Sequence, residues 1–255
     1  MTRLAQLLVN LGRIREGWSL AASAADEDDP ALLTGLLQGA LTYGAETAQA
    51  ERAARRLGAF VRRAPVSDVM RAQQYRALCW LARWRLTRGD RSVAAAAVTR
   101  LPALGAATPE APDGPVPLGQ PAMCAELLHA ELAVAARSPD AALAVRRVDS
   151  LMRLGPLGPD VDMVNLVLSQ LYERLGDREA ALTAIGRRTY NWDESALWYL
   201  PIYLRHEGRL AALAGDRERA MWAYRQYLAL RAAPDSALRA EAEEVRAELA
   251  RLERS

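Results

Sequence analysis

The 255 residues are 51% hydrophobic and 25% charged with a net charge of +2, a composition that excludes general disorder and allows one or two domains with a sizeable core. All 33 basic residues are arginine, which excludes any mechanism that needs a lysine nucleophile, a Schiff base or a phosphate-loop lysine. Ala and Leu dominate the apolar residues while β-branched residues are scarce, so an all-α protein is predicted. The use of arginine alone is typical of a GC-rich bacterial genome.

The cysteine count and the N-terminal sequence bear on the compartment. Cys79 and Cys124 are a lone pair in a long chain, which is not a disulfide framework and fits a reducing compartment. The first 17 residues lack the small-residue cleavage pattern of a signal peptide. No run approaches the roughly 18 apolar residues of a membrane span. A cytoplasmic location is therefore predicted.

The N-terminal half, residues 1–101, is predicted to form helix pairs at 3–25, 30–64 and 67–100. The acidic run at 26–29 lacks the alternating oxygen ligands and turn glycine of a calcium loop, so it is interpreted as a helix entrance. Gly89 can close one helix in the left-handed conformation, and Asp90 can cap the next by accepting from its free N–H groups. Trp80 and Trp84, four residues apart, are predicted to pack inward.

Residues 102–121 interrupt the helical pattern. They hold six of the thirteen prolines and show no periodicity, which predicts a loop or linker between the N-terminal region and residues 122–255. Because proline removes backbone donors, we expect this to be the least ordered internal segment.

The C-terminal half repeats itself. LSQLYERLGDREAAL at 168–182 matches EGRLAALAGDRERAM at 207–221, and the equivalent alanines, Ala181 and Ala220, lie 39 residues apart. A third copy places Ala142 another 39 residues upstream. Gly–Asp recurs at 176–177 and 215–216, so helix pairs are predicted at 122–153, 160–189 and 194–231. A final helix at 236–254 has one apolar face and is interpreted as a cap; the alternative is a short dimerising coiled coil.

These repeats resemble the tetratricopeptide signature, chiefly in the small and aromatic residues around Tyr172, Gly176, Ala181, Gly208 and Tyr224. The resemblance implies a right-handed α-solenoid of about six antiparallel helix pairs plus the capping helix. Here the period is 39 residues and not about 34. Such arrays bind a peptide or helix of a partner protein in a concave groove. The chain is thus expected to be a scaffold or adaptor, and arrays of this kind also occur in bacterial signalling proteins.

Carrying over the family's groove positions implies a set of partner-binding residues: Gln38, Arg76, Arg83, Glu131, Gln170, Glu173, Arg205 and Arg209. The basic and asparagine pattern with which some members clamp a carboxylate tail is not reproduced. The aromatic stretch at 189–203 has two interpretations. Trp192, Trp198 and Tyr199 could form a platform for a partner, or they could fill a wide junction between helix pairs.

Catalytic signals are nearly absent. His129 and His206 lie far from the cysteines in sequence, and no Cys or His pair has zinc spacing. Neither a GxSxG elbow nor a glycine-rich nucleotide motif occurs. The chain is predicted to be no enzyme, with no catalytic or metal-ligating residue, no cofactor, no membrane partner and no small-molecule ligand.

The alternative function comes from another class. Residues 46–100 hold twelve arginines against four acids, and a nucleic-acid-associated helical repeat protein could use this basic segment. Five of the arginines lie close together: Arg52, Arg55, Arg56, Arg62 and Arg63. No aromatic residues alternate with them, and a solvated outer helix face would have the same composition. Whether their side chains share one face separates the two interpretations.

Overall fold

The computed structural model describes residues 3–23, 29–43, 47–105, 120–154, 161–187 and 194–254. Within these ranges the chain forms thirteen α-helices and no strand, which confirms the all-α prediction. The helices are α1 Arg3–Asn10, α2 Ile14–Ser23, α3 Pro30–Tyr43, α4 Thr47–Phe60, α5 Asp68–Thr87, α6 Arg91–Gly105, α7 Gln120–Ala135, α8 Ala141–Leu154, α9 Val161–Arg174, α10 Arg178–Ile185, α11 Glu194–Ala214, α12 Arg217–Leu230 and α13 Ser236–Arg254.

The glycine–aspartate pairs separate helices as predicted. Gly89, Gly176 and Gly215 have φ of 82°, 83° and 80°, values that side chains disfavour, so each can turn the chain sharply after a helix. The aspartate that follows caps the next helix. Asp177 accepts the N–H of Ala180 at 3.0 Å, and Asp216 and Asp90 bond to the next first turns in the same way.

Among the described residues, helices that follow each other pack in six pairs, and α13 packs on α12. Both helices of a pair also contact the first helix of the next pair in three cases: α3 and α4 on α5, α5 and α6 on α7, and α9 and α10 on α11. The helix-pair prediction is confirmed by these contacts.

The chain divides into two compact units. The central unit is residues 26–158, and the split unit combines residues 1–25 with 159–255. The division does not fall at the proline-rich segment, because α6 and α7 on either side of it pack together within the central unit. Residues 102–105 complete α6, and α7 begins at Gln120. The remainder, 106–119, lies outside the described residues, as does the prediction about its order.

A disulfide joins Cys79 on α5 to Cys124 on α7, with the two Cα atoms 6.1 Å apart. Both residues are buried. The sequence interpretation, in which a lone cysteine pair marks no disulfide, is corrected here: the packing of α5 on α7 brings together two residues 45 positions apart. Cysteine spacing alone carries no information on such a long-range contact.

The split unit is assembled from both ends of the chain. Its N-terminal helix pair packs through α1 on α11. The buried guanidinium of Arg231 donates to the Val9 carbonyl at 2.5 Å, and the Asp235 N–H donates to the Gly12 carbonyl at 2.9 Å. Gly12 has φ of 85°, and an added Cβ would lie 3.1 Å from the Cα of Pro234. The turn between α1 and α2 is therefore fitted to the turn between α12 and α13.

The last helix covers the end of this unit. Leu238, Ala242 and Val245 are buried on the aromatic core formed by Tyr224 and Tyr227 of α12, with Leu249 and Leu252 packed beside them. Its apolar face is thus occupied within the chain, which favours the capping interpretation over the coiled coil.

Candidate partner-binding face

Charged side chains from α9, α11 and α13 meet in the split unit. The guanidinium of Arg209 donates two hydrogen bonds to the Glu173 carboxylate, the first at 2.6 Å. The hydrogen bond from Arg209 lowers the pKa of Glu173, and in return raises the pKa of Arg209. A two-point pair of this kind fixes the geometry of both side chains. Two groove positions predicted 36 residues apart are therefore in direct contact.

A second set of contacts links α11 to α13. Arg205 donates to Glu241 at 2.8 Å and lies 3.6 Å from Glu244. The hydroxyl of Tyr227 also donates to Glu241 at 2.5 Å, and that of Tyr224 donates to Glu248. Burial raises the pKa of both tyrosines, and these hydrogen bonds to carboxylates raise it further. We call Glu173, Arg205, Arg209, Glu241, Glu244 and Glu248 the charged row.

His206 anchors the charged row to the core through a chain of hydrogen bonds. Arg209 donates to its Nδ1 at 3.2 Å, so Nε2 carries the proton and donates to the Ser169 hydroxyl at 3.1 Å. Ser169 in turn donates to the Ala181 carbonyl at 2.8 Å. This arrangement requires a neutral imidazole. Burial and the nearby Arg209 lower the pKa of His206 to about 4.

A serine beside a histidine invites comparison with a nucleophilic pair, but the geometry argues against it. Ser169 is 0% exposed and its proton is directed at a backbone carbonyl. The other ring nitrogen of His206 accepts from an arginine, whereas a catalytic histidine would donate to a carboxylate there. This Ser–His contact is therefore a structural hydrogen bond.

The other predicted positions in the split unit, Gln170 and the aromatic residues of 189–203, differ in their exposure. Gln170 is exposed beside the charged row on α9. Tyr199 is only 2% exposed, and Tyr203 is buried as well, so both fill the core and neither can contact a partner in this conformation. That burial corrects the partner-binding role given to Tyr199 and agrees with the junction-filling interpretation. Trp192 and the side chain of Trp198 lie outside the described residues.

In the central unit, two predicted groove residues form an almost buried pair. Arg83 on α5 bonds to Glu131 on α7 at 3.1 Å, with side chains only 10% and 14% exposed. The Arg83 guanidinium also lies 5.0 Å from the ring centre of Trp80. This pair joins two helices and offers little surface. Arg76 is exposed and Gln38 is half-buried, and Trp80 and Trp84 pack inward as predicted.

Sequence reasoning missed the acids of α13. Glu241, Glu244 and Glu248 follow each other at i, i+3 and i+7 and contact the α11–α12 pair, whereas the sequence interpretations, a cap or a short coiled coil, gave these acids no role. Their helical spacing was visible. The role of these acids depends on how α13 packs against Arg205, Tyr224 and Tyr227, and no local sequence pattern reveals that packing.

Across the described residues there is no group of three or more His, Cys, Asp or Glu side chains that could hold a metal ion. None of the helices described is long and apolar enough to cross a membrane.

Comparison of the chain with protein-family models, with curated proteins and with solved structures finds no match.

Proposed function

We propose that the chain is a non-enzymatic scaffold or adaptor that binds a peptide or helix of a partner protein along the charged row. The main support is that Arg205 is held by acids on α13 and Arg209 by Glu173 on α9, while the two arginine side chains stay 42% and 39% exposed. Because the ion pairs already order these side chains, a partner would meet fixed charges.

The fold supports the same proposal. Each first helix contacts the first helix of the next pair in the α3–α5–α7 and α9–α11 series, as expected of a tetratricopeptide-like α-solenoid, in which the first helices line the binding surface. We propose that right-handed architecture for these two series of helices, and a bacterial signalling protein as the context of the chain.

An unbiased peptide-display experiment tests the function. A library of random 12-residue peptides is selected on the immobilised chain, and enriched sequences are synthesised and titrated. The key variant is the charge swap E173R/R209E, which keeps an ion pair between α9 and α11 but reverses both charges that a partner meets. The matched control is the swap R225E/E253R, which reverses the exposed 2.8 Å pair between α12 and α13.

We expect enriched peptides to bind the E173R/R209E protein about tenfold or more weakly, a loss of about 1.4 kcal/mol or more. Binding to the R225E/E253R protein should stay within about twofold of the native value. Failure to enrich any sequence, or equal binding to all three proteins, contradicts the proposal.

A further inference from the structure

Helix α4 in the central unit has a sharply divided surface. The buried side of α4 and of the residue that follows it is apolar: Ala50, Ala53, Ala54, Leu57 and Val61. At about 100° per residue, these positions occupy an arc of about 100°. The arginines of the segment occupy the opposite arc, about 120° wide, and all five are exposed: Arg52, Arg55, Arg56, Arg62 and Arg63. They therefore share one face, which we call the arginine face.

The turn that carries the last two arginines is held in register with α4. The N–H of Arg62 bonds to the Ala59 carbonyl and that of Arg63 to the Phe60 carbonyl, so the helical winding continues past Phe60. The side chain of Gln74, which is fully buried, donates to the carbonyls of Phe60 and Arg63 at 3.1 and 2.8 Å. The backbone that carries the arginine face is thus held in place as far as Arg63.

Residues 47–63 hold little negative charge that could balance Arg52, Arg55, Arg62 and Arg63. The segment has one acidic residue, Glu51, and its carboxylate turns toward α5. There it accepts from Trp84 Nε1 at 2.9 Å and pairs with Arg85 and Arg88, each at 3.3 Å. The one carboxylate of α4 therefore already interacts with three side chains on α5 and at its C-terminal end.

The arginine face differs from the arginines of α8 that pair with acids. On α8, Arg147 pairs with Glu126 at 2.8 Å and Arg153 with Asp149 at 3.1 Å. In the described part of the molecule, no acidic side chain pairs with Arg52, Arg55, Arg62 or Arg63. A genome that favours arginine explains why these residues are not lysine, but it does not explain why four of them on one face lack acids.

We propose that the arginine face binds the phosphate backbone of duplex nucleic acid. Arginines are frequent donors to phosphate oxygens, and the positions from 52 to 63 span about 16 Å of helix axis. The face has no aromatic side chain on which single-stranded bases could stack, which favours a duplex. The surface lies in the central unit and is independent of the charged row.

Two other polyanionic partners fit less well. An amphipathic helix that lies in a membrane inserts its apolar face, whereas the apolar face of α4 is buried in the protein core. An acidic protein would be expected to bring apolar anchors, and between the arginines the face offers only Ala59. Repeated phosphates require only repeated cations.

Fluorescence anisotropy of the full chain with a labelled 24-base-pair DNA duplex of mixed sequence tests the proposal. We expect a dissociation constant of about 10⁻⁶ to 10⁻⁴ M near physiological salt, and log K falling with log salt with a slope of about −4. The variant R52Q/R55Q/R63Q should weaken binding about tenfold or more and reduce the slope by about 2 to 3. The control R146Q/R147Q/R153Q removes the same charge from the same unit and should change affinity by less than about twofold.

Circular dichroism establishes that both variants are folded. The proposal is overturned if the native chain does not bind the duplex at 50 mM salt, since phosphate contacts strengthen as salt falls. Equal weakening by the two triple variants overturns it as well, because net charge would then explain the binding. Binding to vesicles containing anionic lipid, with none to the duplex, would assign the face to a membrane instead.

Discussion

The carboxylate of Asp235 accepts the backbone N–H of Arg15 at 3.0 Å, across 220 residues of sequence. Its other oxygen accepts the N–H of Ala237 at 3.2 Å in the first turn of its own helix. One side chain thus caps both α2 and α13, where two helix N-termini present their partial positive charge to a single anion. The contact joins the α1–α2 pair to the turn between α12 and α13.

Replacing Asp235 should therefore cost more than replacing an ordinary cap. We expect D235A to lower the free energy of unfolding by about 2 to 3 kcal/mol. Two caps at about 1 kcal/mol each are lost, and the packing of the α1–α2 pair on the turn before α13 weakens. The control D216A removes the single cap on α12 and should cost about 1 kcal/mol. Urea unfolding measures both. Equal losses would mean that the bond to Arg15 contributes nothing.

The buried imidazole of His206 predicts a pH dependence. Because its folded pKa is about 4, below the usual 6.5, the unfolded chain takes up the proton first as the pH falls. Stability is therefore full above pH 6.5 and is lost between pH 6.5 and 4, by about 2 kcal/mol between pH 7.5 and 5. The lowered pKa of Glu173 adds a loss only below its ordinary 4.5.

Chemical denaturation at pH 7.5 and 5 measures this effect in the native chain and in H206Q. We expect H206Q to remove most of the difference between the two pH values. The variant H129Q changes an exposed histidine and should retain the difference. A native chain that is equally stable at both pH values would be incompatible with a neutral, buried His206.

Reversing one charge of the Glu173–Arg209 pair should lower the stability of the chain more than reversing both. R209E places a carboxylate beside Glu173 and should destabilise the chain by about 1 kcal/mol or more, while the swap E173R/R209E should recover about half of that loss. Reversing only Arg205 and Arg209 to glutamate is consequently a poor test of partner binding, because it also places like charges beside Glu173 and Glu241. Thermal unfolding of the two singles and the double checks the cycle; additive losses would show no coupling.

The disulfide should contribute to stability. Joining residues 45 positions apart is expected to stabilise the chain by about 4 kcal/mol through the reduced entropy of the unfolded state. We expect C79S/C124S to lose about 2 to 4 kcal/mol, and the native chain to have no thiol that reacts under denaturing, non-reducing conditions. Two reactive thiols there would show that the bond is absent in solution, as a reducing compartment predicts.

Local chemistry made much of the fold predictable. A glycine that can take positive φ followed by a capping aspartate, as in Gly176–Asp177, defines a helix boundary from adjacent residues alone, and the helix bounds follow closely. The role of Asp235 was not predictable, because its second partner comes from the other end of the chain. For Tyr199 the sequence could not separate the two interpretations, because an aromatic residue has the same sequence signature in a core as on a binding surface.

The same distinction holds for the candidate surfaces. Periodicity places Arg52, Arg55 and Arg56 on one side of a helix, so the arginine face could be anticipated. It does not reveal that Glu51 is drawn away by Trp84, Arg85 and Arg88. Likewise, Arg205 and Arg209 were identified from the repeat pattern, whereas the acidic partners of Arg205 on α13 depend on how that helix packs.

The bond between Cys79 and Cys124 makes residues 79–124 a covalently closed ring, and the segment between Gly105 and Gln120 lies inside it. A single cut of the backbone anywhere in that segment leaves one covalent molecule, because the two fragments stay joined through sulfur. Nicked protein would therefore migrate as an intact chain in a denaturing gel until a reductant is added, and only then separate into its two fragments.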